Sequence, residues 1–329
     1  MERVELVGPH LRVVVLPRHG ADVHSIEDLR TGVDVLFKTA WGSHEGSPHL
    51  HAPDSVVGWS DHYLGGWQLL TPSAGDACSY QGVWHPYHGE ACMSAWSCHP
   101  VERHARGIRV TMSTRLRRYP FRLERTVDVL DTEPAVEVTD VIVNEGRDPL
   151  PAMWTEHLVF GGPFVSPNCV IASGAASFSA DRAYDGPFNP LAPGIDTGWP
   201  DAHDRDGRPL DLGQIPAITK PRQLLGYLRG FAEQAWFSLT DDTADLRLLA
   251  TWSSAQMPFA WLWQELNASA GYPWYGTTRA IGIEPSSSMP AKGIAGAAAA
   301  NTHRIIAAGA SESVRVKLVL TPATAPARR

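Results

Sequence analysis

Hydrophobic and polar residues alternate along several stretches of this chain. The clearest alternating stretches are 109–116, 121–129, 135–143 and 313–320. A period of two gives a β-strand one apolar and one polar face. Turn-forming residues, Tyr119-Pro120 and Asp131 to Pro134, separate the first three stretches. The pattern therefore predicts long, antiparallel strands.

Shorter strands are predicted on both sides of this region. They cover Val4 to Val7, 11–16, a segment through 23–26, 33–37, 235–239, 246–252 and 259–263. No stretch predicts an amphipathic helix of three turns or more. The Ala-rich piece 295–300 is too short to hold a helix without tertiary contacts, so its state stays open. We therefore predict an all-β protein.

Two stretches lack periodicity. Residues 40–100 are rich in Trp, His, Gly and Pro, and residues 165–223 in Pro, Gly and Asp. Long irregular segments of a compact protein are usually functional loops. We interpret the first as loops around a site and the second as a surface excursion.

The composition is that of a globular protein with a sizeable core. The chain has 329 residues, of which 43% are hydrophobic, and β-sandwiches of this order fold as one unit. We predict a single domain, 1–329. The net charge is −7 and the Lys and Arg residues are scattered, which argues against a nucleic-acid partner.

Cysteine usage and hydropathy predict a location. The four cysteines form no Cys-x-x-Cys pair, so we expect reduced thiols. The N-terminus lacks the apolar core of a signal peptide, and no apolar run is long enough to span a membrane. We expect a cytoplasmic protein without a membrane partner.

Three stretches place proton-transfer residues beside Gly or Pro. Glu156 and His157 lie in an apolar segment, His88 precedes Gly89-Glu90, and Glu284 precedes Pro285. Buried ionisable groups must be hydrogen-bonded or change their pKa. A His and a carboxylate from distant strands suit general acid/base catalysis, which needs no cofactor and no metal.

These stretches resemble the aldose 1-epimerases (mutarotases) of the galactose mutarotase-like superfamily. The similarity spans roughly 60 to 320. It rests on Gly65-Gly66-Trp67-Gln68-Leu69-Leu70-Thr71-Pro72 with Gly75-Asp76, His88-Gly89-Glu90 followed by Trp96, Glu156-His157-Leu158-Val159-Phe160-Gly161, and Gly282-Ile283-Glu284-Pro285. The resemblance implies a large antiparallel β-supersandwich with a small-molecule sugar in a cleft on one sheet.

The resemblance also implies roles for individual residues. His157 would protonate the ring oxygen, Glu284 would remove the proton from the anomeric hydroxyl, and His88 would help to hold the ring. The opened sugar would rotate about C1–C2 and close as the other anomer. Trp67 is our first choice for stacking on a sugar, and Gln68 for binding a hydroxyl.

The sequence departs from the family at two motifs. The usual His-x-Tyr-Phe-Asn-Leu run is replaced by 157–161, and the usual Asn-Arg by Gly66-Trp67-Gln68. No residue is assigned to the family's substrate-binding Asp. We interpret Glu156 and Glu90 as structural partners.

Other classes of protein stay open. A metal-dependent enzyme of cupin type could use His49 and His51 with His85, His88 and Glu90, because imidazoles and carboxylates bind transition metals. A non-catalytic sugar-binding protein would keep the aromatic residues without needing the acid/base pair. A lyase or hydrolase on a β-sandwich is a third alternative.

Overall fold

The computed structural model describes residues 2–42 and 52–324. In the first third of the chain the elements are β1 Val4–Val7, β2 Leu11–Leu16, β3 Asp22–Asp28, β4 Val33–Asp34, α1 Ser55–His62, β5 Trp67–Leu70, β6 Cys78–Tyr80, β7 Val83–His85, a 3-10 turn Ala91–Met93, β8 Ser97–Cys98, β9 Glu102–His104 and β10 Gly107–Arg115.

The middle of the chain is built from strands only, as far as the structure describes it. They are β11 Phe121–Leu130, β12 Ala135–Asn144, β13 Leu150–Ala152, β14 Thr155–Gly161, β15 Cys169–Ser173, β16 Ser177–Ala180, β17 Asp196–Gly198, β18 Asp201–His203, β19 Pro209–Asp211 and β20 Arg222–Arg229.

The last third adds six strands and one helix. The elements are β21 Gln234–Asp241, β22 Leu246–Ser253, β23 Phe259–Leu266, β24 Arg279–Ser286, α2 Gly293–Ala299, β25 Arg304–Ile306 and β26 Ser311–Thr321. The predicted all-β class is confirmed. Residues 295–300, whose state the sequence left open, lie mostly within α2, which packs against β6.

Two large antiparallel sheets organise these strands. The first has the order β1-β2-β3-β5-β14-β24-β23-β20-β16-β17, with β4 paired to β3. The second has the order β15-β21-β22-β26-β12-β11-β10-β8, with β9 paired to β10. The long alternating stretches form the centre of the second sheet.

The main hydrophobic core draws on both sheets. Leu158 and Ile283 of the first sheet belong to the same buried cluster as Val127 and Val316 of the second. A second cluster lies on the opposite face of the first sheet, where Val159 and Trp261 pack with residues of α1 and α2. Successive residues of a strand point to opposite faces, so β14 contributes Leu158 to one cluster and Val159 to the other.

The prediction of a surface excursion over 165–223 is wrong in part. Its apolar residues form β15, which pairs with β21 in the second sheet, and β16, which pairs with β20 in the first. Each strand is only four or five residues long and is bounded by turn formers, so no alternating run develops that periodicity could detect.

Two further observations concern the described residues. The four cysteines are free thiols. No helix in residues 2–42 and 52–324 has the length and apolar character needed to cross a lipid bilayer.

Candidate active site

His157 and Glu284 meet on the outer face of the first sheet. Their strands, β14 and β24, are antiparallel neighbours in which Thr155 pairs with Ser286 and Val159 with Gly282. This register places His157 directly across from Glu284. The imidazole Nε2 lies 3.8 Å from the carboxylate Oε1.

The two residues belong to a row of side chains that crosses five strands. Gln68 pairs with His157, Trp261 with Glu284, and Tyr227 with Trp261. Directly paired residues point to the same face of a sheet. The row therefore places the acid/base pair at its centre, with polar or aromatic side chains on both sides.

The outer members of the row are hydrogen-bonded into the scaffold. The Gln68 amide donates to Asp22 at 2.8 Å and accepts from the Trp59 indole at 3.1 Å. The Trp261 indole donates to the Ser288 carbonyl at 2.7 Å. In contrast, His157 Nδ1 and Glu284 Oε2 have no hydrogen-bond partner among the described residues.

Glycine at position 282 makes room for the carboxylate. A Cβ atom built there would lie 2.5 Å from Glu284 Oε1, which is far inside van der Waals contact. This close contact explains why glycine occupies the first position of the Gly-Ile-Glu-Pro motif.

His88 completes the polar end of the site from a loop. Its backbone has φ 60°, an uncommon conformation for a non-glycine residue that is often found at functional sites. Its Nδ1 accepts a hydrogen bond from the Gly75 amide at 3.1 Å, so the neutral ring carries its proton on Nε2. The His88 and His157 ring centres are 5.2 Å apart.

Burial shifts the pKa values of His157, Glu284 and His88. It lowers the pKa of His157 to about 3 and raises the pKa of the Glu284 carboxyl well above its usual value. Burial, followed by the neighbouring His157, also lowers the pKa of His88. All three shifts have the same main cause, because a charged form loses its hydration when the side chain is buried.

A cavity of about 290 Å³ opens above the pair. This volume is at the lower end of the range of small-molecule sites, about 300 to 1,000 Å³. Seven tryptophan and tyrosine side chains line it: Trp59, Tyr63, Tyr87, Tyr184, Trp261, Trp263 and Trp274. The Lys292 ammonium and the Asp76 carboxylate, 2.7 Å apart and partly exposed, also line it.

The structure brings His157, Glu284 and His88 together but keeps Trp67 and Gln68 out of the cavity wall. Trp67 is fully buried, and its indole donates to Glu156 at 2.7 Å beneath the sheet. Gln68 is covered by Trp59, which takes the position facing the cavity. The sequence predicted that Trp67 and Gln68 contact the ligand directly. In the structure neither side chain lines the cavity.

Two tryptophans, one in β23 and one in the loop that follows it, also line the cavity. Trp263 and Trp274 have ring centres 5.7 Å apart. Trp59 and Tyr63 were missed, because α1 lies inside the irregular segment 40–100 and is too short for periodicity to show. Asp181, also missed, lines the cavity and accepts backbone hydrogen bonds from Ala183 and Tyr184.

Glu156 and Glu90 have structural partners, as the sequence suggested. Glu156 accepts hydrogen bonds from Arg125 and from the indoles of Trp67 and Trp154. Glu90 accepts from the backbone amides of Arg117 and Arg118.

The metal-site alternative gains no support from the described part of the chain. His49 and His51 lie outside the described residues. Within residues 2–42 and 52–324, no group of three His, Cys, Asp or Glu side chains is arranged to hold a metal ion.

Comparison with known proteins identifies the fold. No family model matches the chain, and no curated protein does. Among solved structures, a candidate aldose 1-epimerase from Escherichia coli K12 has a TM-score of 0.66 at 16% identity, covering 98% of this chain and 99% of that one. A candidate aldose 1-epimerase from Klebsiella pneumoniae has a TM-score of 0.68 at 15% identity, covering 95% of this chain and 77% of that one.

A third similar structure is a galactose mutarotase-like protein from Lactobacillus casei, with a TM-score of 0.65 at 14% identity. The matched parts are 97% of this chain and all of that one. The chain therefore has the galactose mutarotase-like fold, and the predicted fold class is confirmed. Likeness at this level of identity establishes the fold, while activity and substrate need an argument from the site.

Proposed function

We propose that this protein is an aldose 1-epimerase that interconverts the anomers of a small sugar. The observation that supports this proposal most strongly is the His157–Glu284 pair, two buried proton-transfer groups 3.8 Å apart. His157 Nδ1 and Glu284 Oε2 have no hydrogen-bond partner among the described residues. General acid/base catalysis needs such groups within reach of one substrate.

The proposed reaction moves one proton onto the ring oxygen and one off the anomeric hydroxyl. Protonated His157 donates to the ring oxygen while ionised Glu284 accepts the proton from the hydroxyl. The bond between C1 and the ring oxygen breaks, and C1 becomes an aldehyde carbon. After rotation about C1–C2, the same steps in reverse close the ring on its other face.

The buried His157–Glu284 pair suits this cycle because ring opening converts the pair from its ionised form to its neutral form. Ring opening leaves a neutral imidazole and a protonated carboxyl, the two forms that burial favours. The ionised pair holds the same number of protons, and hydrogen bonds from the bound sugar would stabilise it. The site thereby favours the enzyme form that accompanies the open-chain aldehyde.

The remaining walls support a sugar as the ligand. His88 presents an N–H donor beside His157, and the aromatic wall offers flat apolar surfaces that suit the C–H face of a pyranose. The mechanism uses side chains of this chain alone.

The test is NMR exchange spectroscopy or polarimetry on a panel of free aldoses and ketoses. We expect the wild-type protein to accelerate anomer exchange. His157→Ala and Glu284→Ala should each lower kcat by about a hundredfold or more, since each removes one proton-transfer group.

A non-catalytic sugar-binding protein would give another result. The wild-type protein would then bind a sugar without accelerating exchange, and both variants would change affinity alone. That outcome would reject the epimerase proposal.

A further inference from the structure

Tyr63 follows the last residue of α1 and forms part of the cavity wall. Its ring stacks on Trp59, with ring centres 4.6 Å apart, and meets the His157 ring edge-on at 5.4 Å. The side chain is 1% exposed. Tyr63 is therefore held rigidly beside the acid/base pair.

The Tyr63 hydroxyl has no hydrogen-bond partner among the described residues. Leaving a buried hydroxyl unpaired costs about 1 to 3 kcal/mol, so proteins usually satisfy such groups. Tyr227, which lies in the same hydrophobic cluster, shows this behaviour: its hydroxyl donates to Asp181 and accepts from the Ala291 amide. Tyr63 differs from Tyr227 because its hydroxyl has no partner in the described chain although its side chain lines the same cavity as His157 and Glu284.

The charge environment keeps this hydroxyl a donor. Burial, followed by the carboxylates of Glu284 and Asp22, raises the pKa of Tyr63 well above its usual value. The phenol therefore stays protonated at neutral pH. Its proton is available to an oxygen placed near Glu284.

We propose that Tyr63 donates a hydrogen bond to the anomeric oxygen of the sugar, on which Glu284 acts. The proposal rests on the epimerase function and adds a residue to it. During ring closure the aldehyde oxygen gains negative charge before Glu284 returns its proton, and a fixed O–H donor stabilises that charge. No covalent bond to the enzyme forms, and the Tyr63 proton stays on its own oxygen.

The matching variant is Tyr63→Phe, which removes one oxygen and retains the ring that stacks on Trp59. We expect kcat/KM to fall by about tenfold to a hundredfold. Most of the loss should lie in kcat, because the hydrogen bond strengthens as charge develops. The melting temperature of the ligand-free protein should stay equal or rise, since an unpaired buried hydroxyl is removed.

Tyr119→Phe is the control. The Tyr119 hydroxyl is also buried without a partner among the described residues, but its ring packs on His85 and Phe121 and does not line the cavity. We expect the same small gain in stability and unchanged kinetics.

Anomer exchange of D-glucose, D-galactose and D-xylose, measured by NMR for the wild type and both variants, tests the proposal. An active wild type and an equally active Tyr63→Phe would overturn the role of Tyr63 and leave the epimerase function standing. A lower melting temperature together with the lost activity would assign Tyr63 to the scaffold instead. A wild type that accelerates none of these exchanges, whether or not it binds a sugar, would overturn both proposals.

Discussion

Two neighbouring residues of β14 place similar chemistry in opposite environments. Glu156 faces the main core, where Arg125 and two indoles donate hydrogen bonds to its carboxylate. His157 faces the cavity with Glu284, and neither Nδ1 of the imidazole nor Oε2 of the carboxylate has a partner in the described chain. Adjacent positions of β14 thus hold a buried carboxylate with hydrogen-bond partners and a buried imidazole whose pair with Glu284 lacks them.

The difference between these two faces separates structure from function. Buried polar groups that are fully hydrogen-bonded hold a core together, and buried groups without partners destabilise the protein unless a ligand satisfies them. The Glu156 carboxylate, with both oxygens hydrogen-bonded, belongs to the first kind. The His157–Glu284 pair belongs to the second.

The largest expected effect on stability comes from Glu156→Gln. The variant leaves the fully buried Arg125 guanidinium with Asp140, 3.8 Å away, as its remaining charged partner. Breaking a buried ion pair in this way costs about 3 to 5 kcal/mol. Denaturant unfolding measures the loss.

Glu284→Gln is the matched control for that experiment, since it makes the same chemical change on the other face. We expect it to lose no stability at neutral pH, because the Glu284 carboxylate has no hydrogen-bonding donor among the described residues. Equal losses in the two variants would contradict the contrast between the faces.

The second prediction concerns stability against pH between 4.5 and 6.5, the usual pKa values of Glu and His. In this window the unfolded chain carries one proton on the two side chains together, on the imidazole. The folded pair also carries one proton, because burial raises the pKa of Glu284 and lowers that of His157. The pair therefore adds no slope to the wild-type stability curve.

Each single variant should make stability depend on pH, because only one of the two titrating groups remains. With Glu284→Gln, His157 alone remains, and stability relative to wild type should fall by about 1.4 kcal/mol per pH unit as the pH drops from 6.5. With His157→Asn, Glu284 alone remains, and relative stability should fall by a similar amount per unit as the pH rises from 4.5. Unfolding curves at three pH values measure both slopes, and slopes of the same sign would reject the pairing.

The smallest expected effect comes from Gly282→Ala. The added methyl group would lie 2.5 Å from Glu284 Oε1 and force the carboxylate to rotate away from His157. We expect kcat/KM for anomer exchange to fall about tenfold, while the free energy of unfolding changes by less than about 1 kcal/mol.

Gly198→Ala provides the comparison for Gly282→Ala. Gly198 ends β17 at the edge of the first sheet, and a Cβ atom there would meet nothing within 4 Å. Its kinetics should match the wild type. Full activity in Gly282→Ala would show that the position of the Glu284 carboxylate is unimportant.

The strands of the second sheet could be predicted closely from the sequence. The alternating stretches 121–129 and 135–143 lie within β11 and β12, whose bounds extend one residue further. These strands have one face in the core, so a period of two is visible in the side chains. β14 is buried along its whole length and shows no alternation, because both of its faces are covered.

The site was predictable in part. His157, Glu284 and His88 came from the order of the motifs and their resemblance to a family, and the structure brings all three together, while their roles stay predictions. Trp67 and Gln68, predicted to contact the sugar, do not line the cavity, because Trp67 faces Glu156 beneath the sheet and Gln68 lies under Trp59. Nothing in the sequence indicates that Trp59 lies over Gln68, since this contact depends on where α1 packs.

The sequence by itself determined the long alternating strands of the second sheet, because alternation along a strand is a local property of the backbone. Only the tertiary structure decided that Glu156 faces Arg125 in the core and that its neighbour His157 faces a cavity. It also decided that Tyr63 and Trp59 form part of the cavity wall. The reason is that hydrogen-bond satisfaction depends on groups brought together from distant parts of the chain. Their identity follows from packing between sheets, helix and loops.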